Sequence, residues 1–358
     1  MKKLTSLLLL LSLLLAGCTV EYVPPTESAL PPATTAAAPS PEGGETLLVH
    51  FIDVGQADCA LIEYGDFHML IDGGNRDDGQ LVVTYLLEQG IESLDIVVGT
   101  HPHEDHIGGL PAVLAVFPVT QAVYSPTDTY SSKIFDDFMG YVDQQRLTVT
   151  KPQPGKTVTI DEDLSFTILG PVKSYAETND TSIVLRLDHG ENSFLFTGDM
   201  ETAAENDMLD NGAKVDVDVL KVGHHGSSSS TGYRLLYEAM PQYAVISVGT
   251  GNDYGHPHVE PMERLRDAGC TIFRTDHLGT VVATSDGHTI TFFWENSKAE
   301  PQYAEKAVPA VFIGNRNSLK FHAPDCDSLP SEKNRVEFAS YGEALEAGFI
   351  PCGGCLGG

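Results

Sequence analysis

The chain has 358 residues, 50 of them acidic and 21 basic, for a formal charge of -29. That balance excludes a surface that holds polyanions non-specifically and leaves any nucleic-acid contact to a local patch. With 42% hydrophobic residues the chain is also not wholly disordered.

Residues 1–18, "MKKLTSLLLLLSLLLAGC", carry a lysine pair, a leucine run too short to be a stable span, and small residues before a cysteine. This pattern predicts an export signal. Leu15-Ala16-Gly17-Cys18 further resembles the bacterial lipobox. The resemblance implies a lipid on Cys18 that would hold the protein at the outer face of a membrane. Residues 19–46 are rich in Pro, Thr, Ala and Ser without apolar periodicity, as expected of a disordered tether. About 310 residues remain, enough for one large or two unequal domains.

"LLVHFIDV" (47–54), "CALIEY" (59–64) and "HMLIDGG" (68–74) predict successive short strands turning near Gly55 and Gly65. "GQLVVTYLLEQG" (79–90) has helical spacing and stops at Gly90. "LDIVVGT" (94–100) predicts a buried strand, followed by "HPHEDHIGGL" and a helix that tolerates Pro111 only in its first turn. A β-rich middle is expected next, then a hairpin over 181–200 turning at Asp188 to Asn192. A helix–strand unit over 200–226 again ends in histidines, and "YAVISVG" (243–249) and "TIFRT" (271–275) continue the pattern. Two such halves predict a layered α/β sandwich rather than one doubly wound sheet.

His101 and His103 alternate at a strand end, so both imidazoles can reach one ion. Asp105 and His106, at the turn into the next helix, suit a second ion. Mixed nitrogen and oxygen donors favour zinc or manganese. Asp199, ending "FLFTGD", is the natural bridge, and His225 adds a nitrogen. A polar capping loop would explain one such residue, not this ordered set.

The set resembles the metallo-β-lactamase superfamily, which implies an αββα sandwich with metals at strand ends. "FIDVGQADCALIEYGDFHMLIDGG", "NDTSIVLRL", "FLFTGDM", "DVLKVGHHGS" and "YGHPH" extend the resemblance to the metal-dependent domain of the ComEC family of DNA-uptake proteins, over roughly 47–295. It does not reach that family's multi-span channel, because no other stretch is long and apolar enough to cross a bilayer. The resemblance implies His101 and His103 on one ion, Asp105, His106 and His225 on the other, and Asp199 between them. Two divalent ions would activate a water, with Asp105 aiming it. His256 is expected on the substrate side, stabilising an oxygen or protonating the leaving group, with His258 behind it in rank and His224 contacting phosphate or a ligand.

Two departures matter. Thr178-Asn179-Asp180 stands where many members have a further histidine, so Asp180 substitutes or one ion is under-coordinated. Ala57 replaces a usual glycine. Asp53, Asp58 and Asp72 are expected to brace loops. His189 and His277 are expected in solvent, and His50, His68 and His288 in strands as structural residues. Cys59 and Cys270 fit small buried hydrophobes.

After a polar linker, 296–307, residues 308–358 form a separate module. His322, Cys326, Cys352 and Cys355 make two close pairs, the pattern of a closed structural zinc site. Ser340 and Glu343 predict a capping box, and Gly348 a helix stop. The module resembles the metal-binding domain of the Ada DNA-repair family, with His322 at the methyl-accepting cysteine, so methyl transfer is not implied. Arg316, Lys320, Lys333 and Arg335 make it locally basic; a passive zinc-stapled fold and DNA contact both fit.

Three functions follow: a surface-anchored phosphodiesterase acting on extracellular DNA, a binuclear hydrolase of a cell-wall phosphodiester, phosphorylcholine ester or lactam, and a non-catalytic zinc-dependent DNA-binding lipoprotein.

Overall fold

The computed structural model describes residues 44–124, 132–303, 311–324 and 326–356. The expected leader with Cys18, and all but the end of the tether, lie outside the described residues.

The first half runs β1 (Leu47–Phe51), β2 (Ala60–Tyr64), β3 (Phe67–Ile71), α1 (Gly79–Glu88), β4 (Leu94–Gly99), α2 (Glu104–Ile107), α3 (Leu110–Val116), β5 (Val119–Tyr124), α4 (Lys133–Gln145) and β6 (Thr148–Thr150). The second runs β7 (Thr157–Thr159), β8 (Leu164–Gly170), β9 (Val184–His189), β10 (Asn192–Phe196), α5 (Thr202–Asp210), β11 (Val219–Lys221), α6 (Tyr233–Ala239), β12 (Tyr243–Ile246), α7 (Val259–Asp267), β13 (Thr271–Arg274) and α8 (Thr275–Leu278). β14 (Val281–Ser285) and β15 (Ile290–Trp294) then return to the first sheet.

The first sheet has eight strands in the order β15-β14-β1-β2-β3-β4-β5-β6, the second seven in the order β13-β12-β11-β10-β9-β8-β7. Each is antiparallel at one side and parallel at the other, with β3 to β6 and β10 to β13 parallel.

Strand alternation builds three layers of core. In β1, Leu47, Val49 and Phe51 face the space between the sheets, where they meet Phe166, Leu185 and Phe196 from the second sheet. Leu61, Leu70 and Val97 point the other way, under α1, α3 and α4. Leu195, Leu220 and Ala244 do the same under α5, α6 and α7. Both faces of the central strands are therefore apolar, which is why their sequences read as near-continuous hydrophobic runs. The result is the expected αββα sandwich.

Three expectations change. The middle is not purely β-rich, because α4 runs through it, capped by the Ser132 hydroxyl accepting from Phe135 N–H. The hairpin turns at Gly190 and Glu191, inside the expected span. His189 is not solvated: it is 2% exposed, and its Nδ1 lies 2.8 Å from Ser285 Oγ. It is covered because the hairpin end packs against the turn after β14, where Glu191 N–H donates to Gly287 O. His288 is exposed in that same turn rather than in a strand.

His50 is a satisfied structural residue, with Nδ1 2.8 Å from the Tyr85 hydroxyl and Nε2 2.7 Å from Glu63. His68 lies in β3 as expected, and His277 in α8 with half its side chain exposed. Ala57 is buried and adopts no left-handed angle; Gly55, at φ 69°, supplies the turn instead. Cys59 and Cys270 are buried.

The C-terminal residues form a separate sheet in the order β18-β16-β17-β19, from β16 (Phe312–Asn315), β17 (Lys320–His322), β18 (Arg335–Phe338) and β19 (Ile350–Pro351), with α9 (Tyr341–Glu346). Phe312, Phe321, Phe338 and Tyr341 fill its core. Tyr233 and Tyr237 of α6 pack on it, at ring distances of 5.0 Å from Phe312 and 5.2 Å from Tyr341. Ser340 Oγ accepts from Glu343 N–H as the expected cap requires, but the Glu343 carboxylate takes Ala339 N–H, one residue before the cap, so the capping box is not closed.

Candidate functional site

The site gathers at the C-terminal ends of β3, β4, β10, β11 and β12, where parallel strands hand the chain to loops. β4 leads into His101 and α2, β10 into Asp199, and β11 into His224 and His225. The Gly-Gly after the histidine cluster is a steric requirement. A side chain on Gly109 would collide with the Gly73 carbonyl, and one on Gly108 with the Glu104 carbonyl. This close approach lets Gly73 N–H donate to His106 O, pinning α2 to the end of β3.

Asp199 is the centre, 1% exposed. Its Oδ1 lies 3.1 Å from His106 Nε2 and 3.8 Å from His225 Nε2, and Asp105 Oδ2 stands 3.3 Å from the same His225 nitrogen. Its Oδ2 lies 3.7 Å from His101 Nε2, which is 3.0 Å from His103 Nδ1. Donors on a tetrahedral zinc with bonds of about 2.0–2.1 Å stand roughly 3.4 Å apart. In both groups, Asp105-His106-Asp199-His225 and His101-His103-Asp199, the donor atoms lie within 4.8 Å of one another, close enough to converge on an ion. His106 Nε2, His225 Nε2 and Asp199 Oδ1 are buried and turned toward one another and toward Asp105. Imidazole nitrogens and carboxylate oxygens converging on one buried point are the donor set of a divalent metal.

The back of each ring is held. His106 Nδ1 lies 2.8 Å from Asp72 Oδ2, and His225 Nδ1 lies 3.1 Å from Ser247 O and 3.3 Å from Asp58 Oδ1. Asp58 in turn receives the Lys221 ammonium at 2.8 Å. Asp58 and Asp72 therefore do more than brace loops, because they turn the free nitrogens inward. Asp53, taking Gly55 N–H, is a loop brace as expected.

Electrostatics follow this packing. Burial disfavours charge on His106 and His225, yet Asp199 and the other carboxylates outweigh it, raising His106 well above the usual range and His225 to about 10. Burial and His106 push His101 well down. Burial would raise Asp105, but His106 and His225 bring it to about 2.

A cleft of about 490 Å³ opens onto these donors, lined also by Gln56, Asn75, Glu104, Asn179, His224, Tyr254 and His256. His256 is half-buried; burial and the neighbouring histidines lower it to about 4. His258 is corrected: it caps the start of α7, accepts Ser228 N–H at Nδ1 and does not line the cleft. Its backbone N–H donates to Gly226 O, which holds it beside the serine loop. Asp180 is also corrected, since its Oδ1 accepts Glu201 N–H and it joins no metal-type group among the described residues. Gln56 and Tyr254 lie within the "FIDVGQADC" and "YGHPH" stretches, and Asn75 directly follows "HMLIDGG", but no local spacing assigns these three a role.

His322, Cys326, Cys352 and Cys355 converge as expected, with His322 Nδ1 3.3 Å from Cys326 Sγ and 4.0 Å from Cys355 Sγ. The cysteines are free thiols, and the four donors fit a tetrahedral ion.

Fold and site together define an α/β sandwich with a metal-type donor set mounted on its strand ends. Residues 52–250, more than half the chain, match the model of the metallo-β-lactamase superfamily, and the chain belongs to it. It is 32% identical to ComE operon protein 3 of Bacillus subtilis over 65% of this chain and 32% of that protein. It is 31% identical to Recombination protein 2 of Haemophilus influenzae, over 72% and 31%. Competence protein ComA of Neisseria gonorrhoeae is 29% identical over 64% and 31%. The chain spans about a third of the length of these relatives.

Proposed function

We propose that the protein is a binuclear metal-dependent phosphodiesterase, a nuclease acting on extracellular DNA, held at a membrane surface by a lipid on Cys18. One observation carries the reading: each carboxylate oxygen of Asp199 faces its own set of imidazoles. His101 and His103 would hold one ion, Asp105, His106 and His225 the other, and Asp199 would join them. Zinc or manganese bound there would supply Lewis acidity and an acidified water. The names of the competence and recombination relatives support nucleic acid as the substrate class.

The chain's own groups then have defined work. Asp105, ionised and facing the cleft, can accept a hydrogen bond from the attacking nucleophile and aim it. Gln56 Oε1 accepts Gly249 N–H, so its amide nitrogen donates to His256 Nδ1. That leaves the proton of the neutral imidazole on Nε2, a donor suited to a phosphate oxygen rather than a strong acid for the leaving group. Asn75, Asn179 and Tyr254 offer further polar contacts at the rim.

The absence of Lys or Arg among the described cleft-lining residues, with the charge of -29, favours a second reading, a smaller cell-wall phosphodiester, phosphorylcholine ester or lactam. The test is turnover of bis(p-nitrophenyl) phosphate, then plasmid DNA, by metal-replete protein. Asp105→Ala should lower turnover by about 100-fold or more. Full activity in that variant overturns the mechanism, and cleavage of the small diester but not of DNA favours the second reading.

A further inference from the structure

We infer that His224 is the remaining protein donor on the His101–His103 side of the centre, with Glu201 as the carboxylate that orients it. The inference rests on the binuclear reading above. His224 Nε2 lies 3.7 Å from Asp199 Oδ2, the same oxygen and the same distance as His101 Nε2. Its Nδ1 lies 3.4 Å from Glu201 Oε1. The arrangement repeats that of His106 on Asp72 and His225 on Asp58: one ring nitrogen toward Asp199, the other toward a carboxylate. With His224 included, each oxygen of Asp199 serves two imidazoles and each half of the centre has four protein donors.

Glu201 is built for this role. Asn179 Nδ2 donates to its Oε1 at 3.2 Å and Ser229 Oγ at 3.0 Å, so the carboxylate is fixed before it meets the histidine. Asp180 spends its own carboxylate on Glu201 N–H, holding the backbone beneath.

The backbone is committed too. His224 and His225 both adopt left-handed angles, at φ 50° and 53°. Two consecutive non-glycine residues in that region cost energy, and the conformation turns both rings to the cleft. His224 stands just outside the tight His101-His103-Asp199 group, and 23% of its side chain is exposed, leaving the ring room to turn onto an ion.

The experiment titrates Co²⁺ alone into the metal-free full chain, following absorption and heat; the tail thiolates report separately in the near ultraviolet. Wild type should take up two ions at nitrogen and oxygen donors. His224→Asn, chosen because Asn tolerates left-handed angles, should bind one of them about 10–100-fold more weakly, and Glu201→Gln should weaken the same ion by a similar factor. His277→Ala should match wild type. Equal melting temperatures of the metal-free proteins would exclude misfolding as the cause. Wild-type affinities for both ions in His224→Asn overturn the inference, as does a wild-type chain with one such ion. Two ions without phosphodiester turnover would instead sink the proposed activity and leave this assignment standing.

Discussion

Asp72 shows how one buried side chain sets the chemistry of another. It is 1% exposed, and its carboxylate accepts Thr100 N–H at 2.8 Å, the Thr100 hydroxyl at 2.7 Å and His106 Nδ1–H at 2.8 Å. Holding the proton on Nδ1 leaves the Nε2 lone pair free for metal. Asp72→Asn keeps the shape but weakens that hold on the proton. We expect metal affinity to fall about 10–100-fold with little change in fold. Calorimetric titration checks this, and unchanged affinity would show that Thr100 and the backbone alone orient the ring. Asp58 and Asp72 stand out in the sequence only as acids in hairpins. Their pairing with His225 and His106 spans the gap between separate strands, which no local spacing reveals.

At the scale of the element, the loop after His225 is clamped from both sides. Arg264 donates to the carbonyls of Ser228, Ser230 and Thr231, while the Glu205 carboxylate accepts Thr231 N–H and Gly232 N–H. Glu205 is 1% exposed, and burial raises its pKa to about 7 against those hydrogen bonds and Arg264. A carboxyl whose pKa is raised in the folded state stabilises the fold fully below its unfolded value near 4.5. That contribution is lost as pH rises through about 7. The melting temperature of wild type relative to Glu205→Gln should therefore decline between these values. A difference independent of pH would show that Glu205 is ionised throughout. Helix α4 was missed at this scale although Ile134, Phe135, Phe138 and Val142 follow helical spacing. Its aromatic residues also suit strands, and only the buried face under the first sheet separates the two readings.

Across the whole molecule, the sandwich carries the centre and the C-terminal sheet rests on α6. Cys352→Ser should remove the tail ion and the amide-exchange protection of β16 to β19, while β4 and β10 keep theirs, because their core is complete without it. Unchanged protection in the tail would mean that the aromatic cluster with Tyr233 suffices. Among the described residues no helix is long and apolar enough to cross a membrane. Attachment is proposed to depend on Cys18, so Cys18→Ala should move the protein from the membrane pellet to the soluble fraction in high salt. A variant that still pellets would require another anchor.

What the sequence determined by itself is what lies in short, contiguous spans: alternating strands, the His-x-His-x-Asp-His order, the acid ending β10, the paired donors of the tail. These are legible because strand and turn geometry act over a few residues. Tertiary structure decided the rest. His189 looked solvated because it adjoins a turn, and it is buried because another hairpin covers it. His258 adjoins the cleft in sequence but is spent on the Ser228 backbone. Asp180, the apparent substitute for a missing histidine, supports Glu201, while His224, forty-odd residues later, faces the shared oxygen of Asp199. Which polar group faces an ion is settled by packing between distant strand ends, because burying an unpaired donor or charge costs more than local sequence preference can offset.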